Sequence, residues 1–313
     1  MSPTSPTTPQ TYGYFGPPGT FTQMALKAWA PEADATAYDS VDATLAAVRE
    51  GRIDAGMVPI ENSVEGGVSA TLDNLATGDP LVVVGEVLVP ITFVLAAREG
   101  VTLADVTAVG THSHAWAQVR GWVGANLPGA TYVPTLSTAS SAMGLAAGEQ
   151  NYQAAVCAPI AADLAGLTVL AEDIGDVRTA VTRFVLVSRP GELPAPTGAD
   201  KTTVVLYQRD DHSGGLLELL EQFATRGINM TRLESRPTKH SMGSYCFSID
   251  LEGHVLDARI GEALMGLKRV CADVVFLGSY PRADRRAAEI APRNSDADFA
   301  AAREWLAAIR QTI

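Results

Sequence analysis

The chain has 313 residues, of which 47% are hydrophobic and 19% are charged, a composition typical of a globular protein with room for two or three domains. Its formal net charge of −12 argues against nucleic acids and anionic membranes as partners, although a local cationic pocket can still bind a small anion. Three scattered cysteines are too few for a disulfide framework or a metal cage, and they suit a reducing compartment, so we expect a cytoplasmic protein without a metal.

Two stretches of the sequence are considered as a signal peptide or a membrane-spanning segment. Residues 1–10 are rich in Pro, Ser and Thr and have neither a basic nor an apolar run, so they are predicted to form a flexible tail and not a signal peptide. Residues 81–97 are the most apolar stretch, but they contain Gly85, Glu86 and Pro90, which predict two buried strands broken at the proline. We therefore expect no membrane-spanning segment.

The first strand is predicted over residues 12–16 and runs into a turn rich in glycine and proline. Thr20 then begins a helix, and Gln23, three residues later, is expected to complete a capping box. Backbone N–H groups at such a helix start can bind an anion, although the spacing of the glycines is not that of a dinucleotide-binding loop.

A second polar loop follows the strand predicted over residues 53–58, which Pro59 is expected to end. Glu61, Asn62 and Ser63 come next and are followed by two glycines. Polar side chains at the end of a strand are typical of a ligand-binding loop, and the alternative is an ordinary capping turn before the next helix.

The order of strand, hydroxyl-rich loop and helix recurs up to residue 190. It predicts an α/β domain in which the loops at the carboxyl ends of the strands form a cleft. His112 and His114, two residues apart, face different sides of a helix and are not expected to form a metal pair. The other predicted elements are strands over residues 106–110, 154–158, 167–171 and 184–187 and helices over residues 40–50, 69–75, 115–123, 137–148 and 159–166.

Thr182 and Arg183 are predicted to lie where a loop enters the apolar strand over residues 184–187. A hydroxyl and a guanidinium at this point can face a cleft. A threonine bonded to the backbone and a surface arginine are the commoner interpretation, and the pattern alone leaves both open.

The pattern changes after residues 191–200, which are rich in Pro and Gly and are predicted to be a linker. Beyond this linker the order strand, helix, strand, strand, helix, strand predicts a ferredoxin-like module. Its strands are predicted over residues 201–208, 228–236, 245–251 and 274–280 and its helices over residues 213–226 and 255–268, before a charged tail over residues 283–313 with one amphipathic helix near residues 297–309.

Several separate motifs, in the right order over residues 12–282, resemble those of the prephenate dehydratases that carry a C-terminal ACT regulatory domain. They are Gly16-Pro17-Pro18-Gly19-Thr20-Phe21, Val58-Pro59-Ile60-Glu61-Asn62-Ser63, His112 with Ala115 and Gln118, Ser137-Thr138-Ala139, Thr182-Arg183-Phe184, Gly214 with Leu216, and Glu234-Ser235-Arg236-Pro237. The sequence departs from the family pattern at Ala180, which is often Asn, at Ser113-His114, usually Pro-Gln, and at Ser213-Gly214-Gly215, usually Pro-Gly-Ala.

The resemblance implies an α/β fold with a two-lobed catalytic domain over residues 12–190, like a type II periplasmic binding protein, followed by a βαββαβ ACT domain. One lobe would hold about residues 12–89 and 172–190 and the other about residues 90–171, with the active site between them. The ACT domain would hold residues 201–282. A monofunctional enzyme is expected, because no helical mutase domain precedes residue 12 in this sequence.

The resemblance also implies a lyase that removes water and carbon dioxide from prephenate to give phenylpyruvate, in the biosynthesis of phenylalanine. No cofactor is needed, because the substrate ring becomes aromatic as both groups leave. Thr182 would be the essential hydroxyl, and Glu61 is the nearest candidate for a proton reservoir. The expected substrate-binding residues are Thr20, Asn62, Ser63, Thr111, His112, Gln118, Ser137, Thr138, Arg183 and Phe184.

The implied effector is phenylalanine, bound where ACT domains meet in a homotetramer built as a dimer of dimers. The expected effector-binding residues are Ser213, Gly214, Gly215, Leu216, Asn229, Glu234, Ser235, Arg236 and Pro237. A dimerisation domain without a ligand is the alternative for this module. For the whole chain the alternatives are an arogenate dehydratase and a non-catalytic two-lobed sensor of small molecules.

Overall fold

Contacts between residues divide the chain into two units. The computed structural model describes residues 11–148, 150–209, 212–238 and 245–311. The first unit holds described residues of the ranges 10–68 and 87–184, and the second unit holds those of 69–86 and 185–313. The flexible tail predicted over residues 1–10 lies outside the described residues.

Strands and helices alternate up to residue 190. In chain order they are β1 (Tyr12–Phe15), α1 (Phe21–Trp29), β2 (Ala35–Tyr38), α2 (Val41–Arg49), β3 (Ala55–Asn62), β4 (Gly66–Gly67), α3 (Ser69–Ala76), β5 (Val82–Pro90), β6 (Val94–Ala97), β7 (Ala108–Thr111), α4 (Ser113–Asn126), β8 (Thr131–Pro134), α5 (Thr138–Ala147), β9 (Ala154–Cys157), α6 (Pro159–Leu164), β10 (Thr168–Ala171) and β11 (Val181–Ser188).

One sheet has the strand order β2-β1-β3-β11-β5, with β4 paired to the end of β3. Strand β1 pairs in parallel with β2 and with β3. The edge strand β2 was not predicted, because none of its four residues is fully buried and its sequence has no apolar alternation. The predicted end of β3 at Pro59 is wrong. Strand β3 continues to Asn62, and its pairing with β1 ends at Met57, so the missing N–H of the proline interrupts no bond to β1.

A second sheet has the order β10-β6-β9-β7-β8. Strand β7 is parallel to β8 and β9, whereas β6 is antiparallel to β9 and β10. The strands predicted on either side of Pro90 are confirmed as β5 and β6. Cys157, at the end of β9, is buried, and this burial raises the pKa of its thiol to about 12. Among the described helices, none is both long enough and apolar enough to cross a membrane.

Helix boundaries follow local sequence signals. Ser40 begins α2 by accepting a hydrogen bond from the backbone N–H of Ala43, and Val41, Leu45 and Val48 are buried on one face of this helix. Helix α5 closes at Gly148, whose φ of 76° lies in the left-handed region that glycine adopts without strain. These signals place the polar starts of helices next to the ends of strands.

The second unit contains a βαββαβ module, as the sequence pattern predicted. Its elements are β12 (Asp200–Tyr207), α7 (Gly215–Ala224), β13 (Met230–Pro237), β14 (Tyr245–Glu252), α8 (Ala258–Val270) and β15 (Asp273–Pro281), followed by α9 (Asp296–Gln311). The antiparallel sheet has the order β13-β14-β12-β15. The helix-facing core includes Leu206 and Ile249 from the sheet, Phe223 from α7 and Leu267 from α8.

Helix α3 also belongs to the second unit, although its sequence follows the polar loop at Glu61. Tyr207 donates its hydroxyl hydrogen to the carbonyl of Ala76 at 2.7 Å, and Arg236 Nη2 lies 3.1 Å from Asp73 Oδ1. A cavity of about 110 Å³ lies between this helix and the sheet, and it is lined by Leu72, Asp73, Ala76, Thr77, Val205, Tyr207, Arg236, Pro237, Thr238, Cys246 and Ser248.

A buried ion pair lies at the start of β12. Lys201 Nζ is 3.0 Å from Glu86 Oε2, and the Glu86 side chain is only 1% exposed. Glu86 Oε1 also accepts the backbone N–H of Ala283 at 2.9 Å. Residues 69–86 therefore form specific polar contacts within the second unit.

Candidate active site

The end of β3 and the start of β11 bring Asn62 next to Thr182. Asn62 Nδ2 donates to Thr182 Oγ1 at 2.8 Å, and Thr182 is 8% exposed. The expectation that Thr182 and Arg183 precede the strand is corrected, because β11 begins at Val181. A strand backbone is more rigid than a loop, so it holds the threonine hydroxyl more precisely.

The amide of Asn62 is held at both ends. Its Oδ1 accepts the backbone N–H groups of Val64 at 2.8 Å and Glu65 at 3.1 Å. Because two donors face the oxygen, the nitrogen must face Thr182 and can only donate. The threonine oxygen therefore accepts from Asn62, and its single hydroxyl hydrogen is directed to another acceptor.

Ser63 forms two hydrogen bonds with the backbone of Val181, the first residue of β11. Its backbone N–H donates to the carbonyl of Val181 at 2.9 Å, and its Oγ accepts the N–H of Val181 at 3.0 Å. The predicted substrate-binding hydroxyl of Ser63 thus has a backbone partner next to Thr182. It fixes the strand on which Thr182 lies.

A second pair joins the same two strands. Arg183 Nε lies 3.3 Å from Glu61 Oε2, with the arginine side chain 5% exposed and the glutamate side chain 37% exposed. Successive side chains of a strand point to opposite faces of the sheet, so this pair lies on the face opposite to Thr182. Phe184 shares the face of Thr182 and is 2% exposed, which places it in the core.

Thr20 begins α1, and its hydroxyl forms hydrogen bonds with nearby backbone groups of the same segment. Its hydroxyl donates to the carbonyl of Pro17 at 3.0 Å and accepts the N–H of Gln23 at 3.4 Å. The predicted capping box is wrong in one bond, because Gln23 Oε1 accepts the N–H of Gly19, at 2.7 Å, and not that of Thr20. The side chain of Gln23 therefore bonds to the backbone of the residue before Thr20.

The start of α1 approaches the start of α5. Gly19 has a φ of +87°, and a Cβ there would lie 3.5 Å from Ala139 Cβ in the first turn of α5. Ser137 begins α5 in a reciprocal capping box with Ser140, and Thr138 is its first helical residue. Two helix N-termini are therefore neighbours, and their partial positive charges add in one region.

Strand β7 and helix α4 position three further predicted residues. The hydroxyl of Thr111 is buried and donates to the carbonyl of Val156 at 2.8 Å, so it fixes the backbone. His112 begins α4, and its Nδ1 accepts the N–H of His114 at 3.4 Å. Burial, and secondarily the neighbouring His114, lower the pKa of His112, so its ring is mainly neutral at neutral pH.

Gln118 is the third of these residues, and its partner was missed by sequence reasoning. Gln118 Nε2 donates to Glu65 Oε1 at 2.9 Å, and the other carboxylate oxygen of Glu65 lies 2.7 Å from His114 Nδ1. Glu65 follows the predicted polar loop by two residues and was not among the expected site residues. Within the ranges that the structure describes, no cluster of three or more His, Cys, Asp or Glu residues could hold a metal ion.

The expected effector residues lie at two places in the second unit. Ser213 is exposed, and Gly214 begins α7 with a φ of +91°. Gly215 is buried, and a Cβ there would lie 2.7 Å from Gln208 Nε2. Leu216 is exposed. Asn229, just before β13, accepts the N–H of Glu252 through its carbonyl at 3.0 Å.

The motif on β13 is divided between the two faces of its sheet. Ser235 is opposite Phe247, which belongs to the helix-facing core, whereas Arg236 is opposite Cys246, which lines the cavity next to α3. Glu234 shares the face of Arg236, and Pro237 shares that of Ser235. One ligand on the helix side of the sheet could therefore reach Ser235 but not Glu234 through their side chains.

Comparisons with known proteins show which family the chain resembles. The family model for prephenate dehydratase matches residues 12–192. A prephenate dehydratase from Amycolatopsis methanolica is 49% identical over 300 residues, which cover 95% of this chain and 97% of the relative. The crystal structure of a prephenate dehydratase from Arthrobacter aurescens in complex with L-Phe is 56% identical, with a TM-score of 0.92, and covers 96% of this chain and 99% of that one.

A structure described as GqqA, a novel type of quorum-quenching acylase, is also similar. It is 32% identical with a TM-score of 0.79, over 88% of this chain and 100% of that one. The family model and the relatives of higher identity agree with each other and confirm the resemblance that the sequence motifs predicted. The chain belongs to the prephenate dehydratase family.

Proposed function

We propose that this chain converts prephenate into phenylpyruvate, water and carbon dioxide. The observation that carries the proposal is the 2.8 Å hydrogen bond from Asn62 to Thr182, which directs the threonine hydroxyl hydrogen away from the protein amide. The acylase is less similar to this chain, at 32% identity, than the two dehydratases named above, at 49% and 56%, so we propose dehydration as the activity.

The reaction balances with one proton. The C4–O bond of prephenate breaks, and the leaving oxygen takes a proton and departs as water. The bond from C1 to the ring carboxylate also breaks, its electron pair enters the ring, and the carboxylate leaves as carbon dioxide. Aromatisation of the ring supplies the driving force, so the protein must mainly orient the dianion and stabilise the departing oxygen.

Thr182 is assigned to the departing oxygen. Its hydroxyl donates a hydrogen bond that strengthens as negative charge develops on the C4 oxygen, while Asn62 keeps the hydroxyl in that orientation. Glu61 lies on the opposite face of the sheet from Thr182, so as the candidate proton reservoir it can reach the departing oxygen only through water, to which 37% of its side chain is exposed. Arg183 keeps Glu61 in place and offsets the charge of its carboxylate.

The neighbouring helix starts of α1 and α5 are assigned to the substrate carboxylates. Thr20, Ser137 and Thr138 lie there, and the backbone N–H groups of a first helical turn bind anions. His112 and Gln118, at α4, are assigned to the side chain of the substrate. These assignments describe one cleft between two lobes, as in type II periplasmic binding proteins.

The βαββαβ module is assigned as an ACT domain that binds phenylalanine. Support comes from the 56% identical prephenate dehydratase whose structure contains L-Phe. The N–H of Gly215 donates to the carbonyl of His212, so an amino-acid carboxylate would bind other backbone N–H groups of the first turn of α7, and Ser235 lies on the helix side of the sheet. Strand β13 is an edge strand, which suits pairing with a second copy and assembly into a tetramer.

The test is incubation of the full chain with prephenate and, separately, with arogenate, with and without phenylalanine. Phenylpyruvate is read by its ultraviolet absorbance and phenylalanine by chromatography. Prephenate turnover that falls when phenylalanine is added is the expected result. Faster turnover of arogenate would assign the alternative substrate, and binding of prephenate without turnover would assign a sensor.

A further inference from the structure

Glu65 connects two elements of the first unit that are far apart in sequence. It lies in the turn between β3 and β4, and its two carboxylate oxygens contact two residues of α4: Gln118 Nε2 at 2.9 Å and His114 Nδ1 at 2.7 Å. Strands β3 and β4 belong to the first sheet, whereas α4 follows β7 of the second sheet. One side chain therefore joins the two layers that carry the proposed site.

The backbone of Glu65 is joined to the same network. Its N–H donates to Asn62 Oδ1 at 3.1 Å, and Asn62 Nδ2 donates to Thr182 Oγ1 at 2.8 Å. An unbroken series of hydrogen bonds thus runs from α4 through Glu65 and Asn62 to Thr182. A shift of the Glu65 turn would change the orientation of the threonine hydroxyl and the position of Gln118 together.

We propose that Glu65 is a positioning residue that aligns Thr182 with Gln118 for the dehydration reaction. The inference rests on the proposed function. Glu65 does not have to touch the substrate, because it acts through Asn62 on one side and through Gln118 on the other. Misplacement of reacting groups by about 1 Å can lower a rate roughly 100-fold, so a contact remote from the chemistry can control kcat.

The competing explanation is that Glu65 only stabilises the fold, and the exposure of its ion pair with His114 argues against this. The Glu65 side chain is 34% exposed and that of His114 is 67% exposed. Exposed ion pairs contribute only about 0–1 kcal/mol to stability, because water screens the charges. Loss of the Glu65 contacts should therefore change alignment much more than it changes folding.

The partners of Glu65 indicate which replacement is informative. Glu65→Gln has nearly the same shape but replaces one acceptor oxygen with a donor, so it cannot accept from both Gln118 and His114. The ring of His112 lies 4.9 Å from that of His114, and Glu65 is the acidic group in hydrogen-bond contact with His114. His114→Gln retains a donor to Glu65 and removes only the titratable ring.

The matched control is Glu50→Gln in the same unit. Glu50 Oε2 lies 2.7 Å from Arg52 Nε, and both side chains are at least half exposed, so this variant also removes one short exposed ion pair. Steady-state kinetics with prephenate and thermal unfolding are measured on the full chain for the native protein, Glu65→Gln, His114→Gln and Glu50→Gln.

We expect Glu65→Gln to lower kcat roughly 10- to 100-fold, with a Tm equal to that of Glu50→Gln. His114→Gln should keep kcat within about threefold of the native value, because its amide still donates. A kcat for Glu65→Gln equal to the control would overturn the inference, and so would a lower Tm that accounts for lost activity. If the native chain itself does not convert prephenate, the proposed function fails and the inference fails with it, whereas an active native chain with an unaffected Glu65→Gln variant would overturn the inference alone.

Discussion

Replacement of Asn62 by aspartate tests the direction of the hydrogen bond at Thr182. In the native chain Asn62 Nδ2 can only donate, so the threonine hydroxyl hydrogen is left for the departing oxygen of the substrate. In Asn62→Asp an acceptor faces the hydroxyl, which then donates to the new carboxylate. The substrate loses a hydrogen-bond donor although Thr182 is unchanged.

The size of the effect follows from the donor that is lost. Removal of one donor to a developing oxyanion costs about 2.7–4 kcal/mol, or roughly 10²- to 10³-fold in kcat. Thr182→Ala removes the same donor and should cause a loss of similar size. The turn after β3 should persist in Asn62→Asp, because the carboxylate can still accept the N–H groups of Val64 and Glu65.

The assay is the initial rate of phenylpyruvate formation at saturating prephenate, with thermal unfolding as the check on folding. Because both single variants remove one interaction, the double variant of Asn62→Asp and Thr182→Ala should be little slower than either alone. A kcat for Asn62→Asp within about fivefold of the native value would refute the reasoning. So would losses in the double variant that simply multiply.

Three further predictions concern charges. Arg183→Lys should raise KM for prephenate, because an ammonium cannot form the planar fork with which a guanidinium binds a carboxylate; an unchanged KM would place Arg183 outside the site. Glu86→Gln should lower the free energy of unfolding by about 3–5 kcal/mol in denaturant titrations, since it leaves a buried lysine ammonium without its carboxylate. The hydrogen bond from Arg282 lowers the pKa of Asp284 to about 2 from an ordinary 3.8, so this carboxylate stabilises the native chain above pH 3.8 and loses its contribution as the pH falls to 2. Asp284→Asn should remove that part of the acid sensitivity, and an identical acid unfolding profile would contradict it.

The sequence predicted the elements whose signals are local. The spacing of Val41, Leu45 and Val48 was enough for α2, and a capping hydroxyl at Ser137 with Gly148 at the far end was enough for α5. These signals act within one helix, so no tertiary contact is needed to interpret them.

Features that depend on pairing between distant residues could not be predicted in this way. A proline such as Pro59 usually ends a strand because it has no N–H to donate. Here β3 pairs with β1 only as far as Met57, so Pro59 interrupts no bond to β1. Glu65 has no pattern of its own in the sequence, and its importance comes from α4, more than 45 residues later. The opposite faces of Ser235 and Arg236 follow from strand register, whereas the motif suggested one shared site.

The contacts of residues 69–86 have a consequence for chimeric enzymes. A crossover at residues 191–200 would transfer the βαββαβ sheet without α3, so Arg236 would lose Asp73 and Glu86 would lose Lys201 of β12. A graft that retained function would have to carry the helix and the first half of β5 together with the sheet. The part of the chain that must be exchanged as one piece is therefore discontinuous in sequence. Recombination at the linker alone would pair residues 69–86 of one parent with the βαββαβ sheet of another, and the two would not have evolved to fit each other.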